Sequence, residues 1–196
     1  MRTRVEQKSE TRRRILDEAT RLIARQGFAA TRTADVAKQA GLSHGAVFVH
    51  FPTREDLVIE VAFTLAREIT DRLHEAVTDG APLRDVLGAH LRCLEEREDL
   101  YRFLVLERTH LPPAFRTAWI GLQSAIAHHI GEAAERAIAA REIQKMPLDL
   151  LFNGWIGLVH HYLANRDLFV TRGSVLAKHG RTLLDHYCSL LSTRRK

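Results

Sequence analysis

Apolar residues recur every three or four positions along almost the whole chain, and this spacing constrains the fold more than any other feature of the sequence. The longest regular run, at every fourth position, consists of Leu57, Val61, Leu65, Ile69, Leu73 and Val77. Such spacing places apolar side chains on one face of an α-helix, whereas a half-buried strand alternates at every second residue. Since alternation occurs only over residues 46–50, the sequence predicts an all-α fold of about nine helices.

Local signals predict where these helices begin and end. Gly27 and Gly41 are typical of helix C-termini. Thr53 with Asp56 resembles a capping box, and Ser174 is a candidate N-cap. The predicted helices cover residues 10–26, 33–40, 43–51, 54–79, 82–95, 98–109, 113–143, 148–163 and 174–192, with a polar connection over 165–173.

The composition excludes several classes of protein. Hydrophobic residues make up 45% and charged residues 27% of the 196 residues, as in ordinary globular proteins, so disorder is not expected. An uninterrupted apolar stretch of about 18 residues is absent, so no membrane span is predicted, and no apolar segment of a secretory signal follows the basic N-terminus. Two cysteines are too few for a disulfide framework, and we expect a protein of the reducing cytoplasm.

The positive charge is concentrated near the N-terminus. Residues 1–55 contain 11 Lys and Arg against 6 Asp and Glu, whereas residues 56–196 contain 18 of each sign. This asymmetry favours a polyanion-binding N-terminal head on a neutral body, although a basic segment that only aids solubility is an alternative. We therefore place a domain boundary after residue 55, with a polyanion-binding head over residues 1–55 and a helical body over residues 56–196.

Two short predicted helices joined by a turn at Gly41 form a helix-turn-helix candidate. Ala37 is small where the helices would cross, and Val36, Leu42 and Val47 can close a small core between them. The second helix would then project, so that its N-terminal residues reach base edges in a major groove. Because similar helical corners occur in many proteins, the pattern alone leaves DNA binding open.

The N-terminal quarter resembles the TetR family of bacterial transcriptional regulators, while the remaining three quarters match the family only in length and helix count. The resemblance implies a three-helix DNA-binding head and an all-α homodimer that binds palindromic operator DNA. It also implies that the protein usually represses transcription and releases DNA when a small molecule enters the C-terminal domain. The residues that carry the resemblance are Ile15-Leu16-Asp17-Glu18-Ala19, Leu22-Ile23-Ala24-Arg25-Gln26-Gly27-Phe28, Ala30-Thr31, Asp35-Val36-Ala37, Ala40-Gly41-Leu42-Ser43, Gly45 and His50-Phe51-Pro52-Thr53-Arg54-Glu55-Asp56-Leu57.

Position by position, the resemblance implies DNA contacts from the start of the second helix, from the recognition helix and from the start of the fourth. Ser43 is equally well explained as an N-cap, and Gly45 as clearance between helices. Arg54 is the strongest candidate for a phosphate contact because it keeps its charge at pH 7. The implied DNA-binding residues are Thr31, Arg32, Thr33, Ser43, His44, Gly45, Ala46, Phe48, His50 and Arg54.

Three residues of the recognition helix depart from the family pattern. Ala46 stands where Thr or Ser is frequent, and Phe48 and Val49 stand where Tyr is frequent, so three hydroxyls are missing. Ala46 or Phe48 can still pack on a thymine methyl group. We expect affinity to depend strongly on salt, through Arg12, Arg13, Arg14, Arg32 and Arg54, with modest base discrimination. The alternative is a helical dimer whose N-terminal head docks a protein partner rather than DNA.

The C-terminal three quarters of the chain contain residues that can form a pocket with apolar walls and a few polar groups. Such a pocket suits a small hydrophobic or aromatic effector. A well-packed core without a ligand is the alternative for each of these residues. The candidate pocket residues are Phe103, Trp119, Leu122, Ile126, His129, Trp155 and His160, with Arg102, Glu107 and Asn153 as possible polar anchors. The histidines lack metal-ligand spacing and no catalytic motif is present, so we expect no metal, no cofactor and no enzymatic activity.

Residues 148–163 are apolar on nearly all sides of the predicted helix. Burying one face of this helix would leave other apolar side chains exposed. With the last helix, residues 148–163 resemble half of a four-helix bundle completed by a two-fold partner. Burial within one chain is the alternative. The predicted homodimer interface contains Phe152, Gly154, Ile156, Gly157, Leu183, Tyr187 and Leu190.

Overall fold

A computed structural model of the chain describes residues 3–193 and is helical over most of that range. No strand occurs within this part, and an isolated antiparallel bridge joins Ile143 and Ser192. The predicted all-α fold is thus confirmed. The helices are α1 (Arg4–Gln26), α2 (Thr33–Gln39), α3 (His44–His50), α4 (Arg54–Ala76), α5 (Leu83–Glu95), α6 (Glu98–Glu107) with a 3₁₀ turn (Arg108–His110), α7 (Pro113–Ala139), α8 (Leu148–Ala164), α9 (Arg166–Phe169) and α10 (Val175–Leu191).

Helix α1 begins earlier than predicted, at Arg4 instead of residue 10. The cause is a capping box: the Glu6 N–H donates to the Thr3 hydroxyl at 3.2 Å, and the Thr3 N–H donates to the Glu6 carboxylate at 2.8 Å. The Thr-x-x-Glu spacing is a sequence signal that predicts such a start. The helix therefore carries the basic residues of the N-terminus on an ordered surface.

The end of α7 also differs from the prediction. The helix stops at Ala139, and Arg141 adopts a left-handed conformation with φ +59°. The Glu142 N–H donates to the Ala137 carbonyl at 2.9 Å and the Arg141 N–H to the Ile138 carbonyl at 3.0 Å. This is a Schellman motif with arginine where glycine is usual, so no sequence signal marks it.

The predicted polar connection over residues 165–173 contains one further helical turn, α9. Phe169 stacks on Tyr162 of α8 with ring centroids 4.0 Å apart, and Lys178 donates to the Phe169 carbonyl at 3.1 Å. A helix of four residues is unstable in isolation, so these tertiary contacts stabilise α9.

Other caps follow the predictions. The Thr53 N–H donates to the Asp56 carboxylate at 2.9 Å, and the Asp56 N–H donates to the Thr53 hydroxyl at 3.0 Å. Ser174 accepts a hydrogen bond from the Ala177 N–H at 2.8 Å and caps α10. Short-range polar signals thus set several helix starts correctly.

The chain forms two compact units. The first contains the described residues through Ala66 together with Asp99–Ala118, and the second contains Arg67–Glu98 and the described residues from Trp119 onward. The first unit therefore combines α1–α3 and most of α4 with α6 and the start of α7. The predicted functional division after residue 55 stays a prediction.

The second unit buries one carboxylate at a helix start. Glu98 is only 5% exposed, and its two oxygens accept hydrogen bonds from the N–H groups of Val175 (2.8 Å) and Leu176 (3.0 Å). A negative charge stabilises the N-terminus of a helix, where several N–H groups have no partner within the helix. Glu98 therefore holds the first turn of α10 in place within the second unit.

Candidate nucleic-acid interface

Helices α2 and α3 form a helix-turn-helix inside the first unit. Gly41 takes φ +61° at the turn, and the Leu42 N–H donates to the Ala37 carbonyl at 2.9 Å. Val36 of α2 and Val47 of α3 are fully buried, as their spacing predicts. One face of α3 thus packs on α2 and the opposite face is presented to solvent.

The exposed face of α3 consists of His44, Gly45, Phe48 and Val49. Phe48 is 40% and Val49 71% exposed, so these two neighbours form an exposed apolar patch. The α3 N-cap is Ser43, whose hydroxyl accepts from the Ala46 N–H at 3.2 Å.

His44 links the first residues of α2 and α3. Its Nε2 lies 3.0 Å from the hydroxyl of Thr33, and its ring meets the Phe48 ring edge-on with centroids 4.9 Å apart. Thr33 is 9% exposed, so the hydroxyl predicted to contact DNA serves this internal bond. His44 and Phe48 remain at the surface.

Arg54 has an internal role that the sequence analysis missed. Its guanidinium donates to the carbonyls of Thr31 (2.9 Å), Ala29 (3.4 Å) and Phe28. All three carbonyls belong to the loop between α1 and α2. Arg54 therefore holds the loop that precedes α2, and its predicted phosphate contact would have to share the guanidinium with these carbonyls.

The same loop is held from its other side by α6. The Glu107 carboxylate accepts from the Ala29 N–H at 2.7 Å. Gly27 has no room for a side chain, because a Cβ there would lie 2.9 Å from Cδ1 of Phe103. Phe103 and Glu107, predicted as a wall and a possible anchor of the effector pocket, are thus engaged at the α1–α2 loop within the first unit. Thr31 is buried here too, and its hydroxyl donates to the Gly27 carbonyl at 2.7 Å.

The positive charge of Arg12 acts on the imidazole of His50. The pKa of His50 is lowered, mainly by burial and also by the positive charges of Lys8 and Arg12, so the imidazole is neutral at pH 7. Its Nδ1 is buried and has no hydrogen-bond partner among the described residues. Arg12 lies 4.8 Å from the Phe51 ring centroid and pairs with Glu60 at 3.2 Å.

Three further arginines of the first unit keep exposed side chains. Arg13 and Arg14 follow one another on α1, and Arg32 precedes α2. Together they offer positive charge at two places where the first unit meets solvent. They are better available to a polyanion than Arg54 or Arg12.

In the second unit, Trp155 is fully buried and donates its indole N–H to Nδ1 of His90 at 3.1 Å. His90 is also fully buried, and its Nε2 has no hydrogen-bond partner among the described residues. Burial, with a smaller effect from nearby His160, lowers the pKa of His90 to about 3. Sequence reasoning missed His90, although it lies among Leu87, Leu91 and Leu94 on the apolar face of α5.

The other predicted pocket residues of the second unit are partly core. Leu122 and Ile126 are buried, Trp119 lies 5.8 Å from the ring of His160, and His129 lies 5.6 Å from the ring of His74. Within residues 3–193, no three His, Cys, Asp or Glu side chains are grouped so that they could hold a metal. A separate open cleft of about 510 Å³ is lined by Arg72, Glu75, Ala76, Ala89, Arg92, Cys93 and Glu96.

The predicted dimer residues divide into two groups. Ile156, Leu183 and Tyr187 are buried within their own chain, because they lie on the inward faces of α8 and α10. Gly154 and Gly157 are exposed on α8, Leu190 is 60% exposed on α10, and Phe152 is half-buried. Leu150, which was not predicted, is 58% exposed on α8.

The fold and the projecting α3 define a helix-turn-helix DNA-binding protein. The model for bacterial regulatory proteins of the tetR family matches residues 15–61. The transcriptional repressor AcnR of Corynebacterium diphtheriae is 31% identical over 171 residues, which cover 84% of this chain and 81% of AcnR. The chain belongs to the TetR family, which consists of transcriptional regulators and not of enzymes.

Solved structures of similar proteins support the same fold. A tetR-family regulatory protein from Rhodococcus RHA1 superposes with a TM-score of 0.76 at 16% identity, over 94% of this chain and 98% of that one. The regulator FadR of Bacillus subtilis, solved with stearoyl-CoA, gives a TM-score of 0.72 at 19% identity, over 90% of this chain and 97% of FadR. None of the helices in the described part of this chain is long and apolar enough to cross a membrane.

Proposed function

We propose that this protein is a cytoplasmic repressor that binds palindromic operator DNA as a homodimer and is released by a small hydrophobic or aromatic molecule. The observation that carries the proposal is the exposed face of α3 in a unit that also has exposed cations. The solvent-exposed face of α3 suits the major groove, and Arg13, Arg14 and Arg32, which are exposed in the same unit, can bind phosphates.

In this proposal the DNA contacts fall into two groups. His44, Gly45, Phe48 and, at its edge, Ala46 face base pairs, and Arg32 with the α1 arginines binds phosphates. Thr31, Thr33 and Arg54 position the loop and α2, since their polar groups are engaged within the unit. His50 acts as a neutral donor, because its pKa is lowered by burial and by neighbouring positive charge.

The effector site belongs to the second unit in this proposal. Trp119, His129, Trp155 and His160 supply aromatic and polar groups among the apolar residues Leu122 and Ile126. FadR, which has the same fold, was solved with an acyl-CoA, which supports an apolar effector. An effector releases DNA only by binding the DNA-free state more tightly than the bound state, so a molecule that leaves operator affinity unchanged is excluded.

The proposal is tested by selecting fragments of the source genome with the purified protein and then measuring affinity by fluorescence anisotropy. We expect a two-fold symmetric sequence to be enriched, with an affinity that falls steeply between about 50 and 200 mM salt. Arg32→Ala should weaken binding to all sequences and reduce the salt slope by about one. Arg172→Ala, a matched change of an exposed arginine in the second unit, should leave both unchanged. Failure to enrich any DNA, or capture of a protein partner by the α3 face, would refute the proposal.

A further inference from the structure

The outward face of α3 carries almost no hydrogen-bonding groups. Gly45 and Val49 lie one turn apart at its centre, opposite the buried Val47. A side chain at Gly45 would meet nothing within 4 Å, so this part of the helix surface is flat and open. Val49 then projects beyond it with 71% of its surface exposed, and Phe48 lies beside it.

We propose that Phe48 and Val49 recognise the 5-methyl groups of thymine bases in the major groove. This inference depends on the proposed DNA binding and adds to it a chemical rule for the operator. Among the groups that base pairs present in the major groove, the thymine methyl is the apolar one, while the others are hydrogen-bond donors or acceptors. Phe48 and Val49 have no polar side-chain atom and gain only by covering that methyl group.

His44 supports this readout, because one of its two ring nitrogens is already engaged within the unit. Its Nε2 is bonded to the Thr33 hydroxyl, and its ring is held edge-on against Phe48. These contacts fix the Phe48 ring in place, so the apolar patch is ordered before DNA arrives. Preorganisation of this kind limits the entropy that binding has to offset.

Charge favours duplex DNA over a protein as the occupant of this face. Residues 1–55 carry an excess of positive charge, and Arg13, Arg14 and Arg32 are exposed in the same unit. A unit that presents both an apolar patch and positive charge fits a duplex, whose thymine methyl groups lie between two rows of phosphates. A protein partner would need a matching acidic rim around an apolar centre and remains an outcome of the test.

The test uses the operator obtained by genomic selection. Each thymine of one half-site in turn is replaced by deoxyuridine, which removes one methyl group and leaves the other half-site unchanged. With the native protein we expect one or two positions at which the replacement weakens binding by about four-fold, the value of one buried methyl group. At those positions, a cytosine in place of thymine should bind better when it is 5-methylcytosine than when it is unmodified.

Two variants assign the effect to the side chains. Phe48→Ala and Val49→Ala should bind the thymine and deoxyuridine operators with nearly equal affinity, since the contact to the methyl group is gone. Leu168→Ala removes an apolar side chain that is 78% exposed in the second unit, and should keep the four-fold difference. All three side chains are exposed, and the melting temperature of each variant checks that folding is retained.

The outcomes separate the two proposals. If the native protein binds its selected operator but tolerates deoxyuridine at every position, methyl recognition is wrong and DNA binding stands. Methyl recognition is equally wrong if Phe48→Ala and Val49→Ala keep the full thymine preference of the native protein. If no DNA is bound at all, both the proposed function and this inference fail.

Discussion

At the scale of single residues, the pair of His90 and Trp155 is the most constrained polar contact in the second unit. The indole N–H donates to Nδ1 of His90, so the ring proton of the neutral imidazole lies on Nε2. Since that Nε2 is buried without a partner among the described residues, the pair carries a desolvation cost. A charged imidazole at this position would cost far more, which explains the lowered pKa of His90.

This gives a prediction for stability against pH. In the unfolded chain His90 binds a proton below pH 6.5, whereas in the folded chain its pKa is about 3. Between these values the unfolded state holds more protons, so stability falls as the pH falls. His90→Asn keeps an acceptor for the indole but does not titrate. Between pH 7 and pH 5 the native protein should lose about 2 kcal/mol more unfolding free energy than His90→Asn, measured by urea titration.

The difference between the two proteins isolates His90, because every other histidine is the same in both. Equal losses of unfolding free energy in the native protein and in His90→Asn would show that His90 is accessible to protons in the folded state. That result would also argue against the buried hydrogen bond to Trp155.

At the scale of the elements, the end of α7 offers a clean test of backbone conformation. Arg141 sits at φ +59°, where a residue with a Cβ is strained and glycine is not. Arg141→Gly should therefore raise the unfolding free energy by about 0.5–1 kcal/mol. Arg116→Gly, an exposed change inside the same helix, should lower it by about 1 kcal/mol. Two changes of the same sign, seen by thermal or urea unfolding, would contradict the Schellman geometry.

The loop between α1 and α2 leads to a prediction about Arg54. If its guanidinium holds the loop carbonyls, Arg54→Ala should lower the unfolding free energy of the DNA-free protein by about 1–2 kcal/mol. A residue that only contacts phosphate would leave that free energy unchanged. Arg32→Ala is the matched control, because Arg32 is exposed and makes no side-chain cap to α2. Calorimetry of both variants without DNA, followed by anisotropy with operator, separates the two roles.

These elements also show what the sequence could and could not predict. The caps at Thr53, Ser174 and Gly41 are set by neighbours in the chain, and local patterns found them. Arg54 was missed as a loop clamp because its carbonyl partners lie more than twenty residues away and any carbonyl serves as an acceptor. The left-handed Arg141 and the turn α9 depend on tertiary contacts, which outweigh local propensity.

The candidate DNA site was predictable in its position and less so in its chemistry. Spacing and family resemblance placed Ser43, His44 and Phe48 at or beside the exposed face of α3. They did not reveal that Thr33 is buried behind His44, because burial depends on how α2 and α3 pack. Val49 was noted only as a missing tyrosine, while its exposure makes it the most prominent apolar residue of that face.

At the scale of the whole molecule, one copy of the chain offers little surface for reading DNA. Helix α3 has seven residues, of which four face outward, so a single copy can address only a few base pairs. Two copies on a palindromic site double the contacts and bind as one unit, with an affinity well above that of either half. We therefore expect specific binding by this chain to require a second copy, and we expect α8 to provide the contact.

Gly157 tests that assembly directly. It lies inside α8 on the exposed face shared with Leu150 and Gly154, although glycine costs about 1 kcal/mol in a helix relative to alanine. Nothing of its own chain lies within 4 Å of a side chain placed there, so packing inside the chain does not require a glycine. Close approach of α8 from a second copy does require a glycine here, because two helices come nearest where their side chains are smallest. Gly157→Glu should therefore fold normally and fail to dimerise.

The matched control is Gly121→Glu, which places the same charge at another exposed helical glycine with nothing within 4 Å. Analytical ultracentrifugation should find the native protein and Gly121→Glu at twice the chain mass of 22.3 kDa, and Gly157→Glu at the mass of one chain. Operator affinity should fall together with dimerisation, because each half-site contributes to one binding event. If Gly157→Glu still forms a dimer, the interface does not lie on this face of α8. If the native protein sediments as a single chain, the proposed recognition of a palindrome by two copies is wrong.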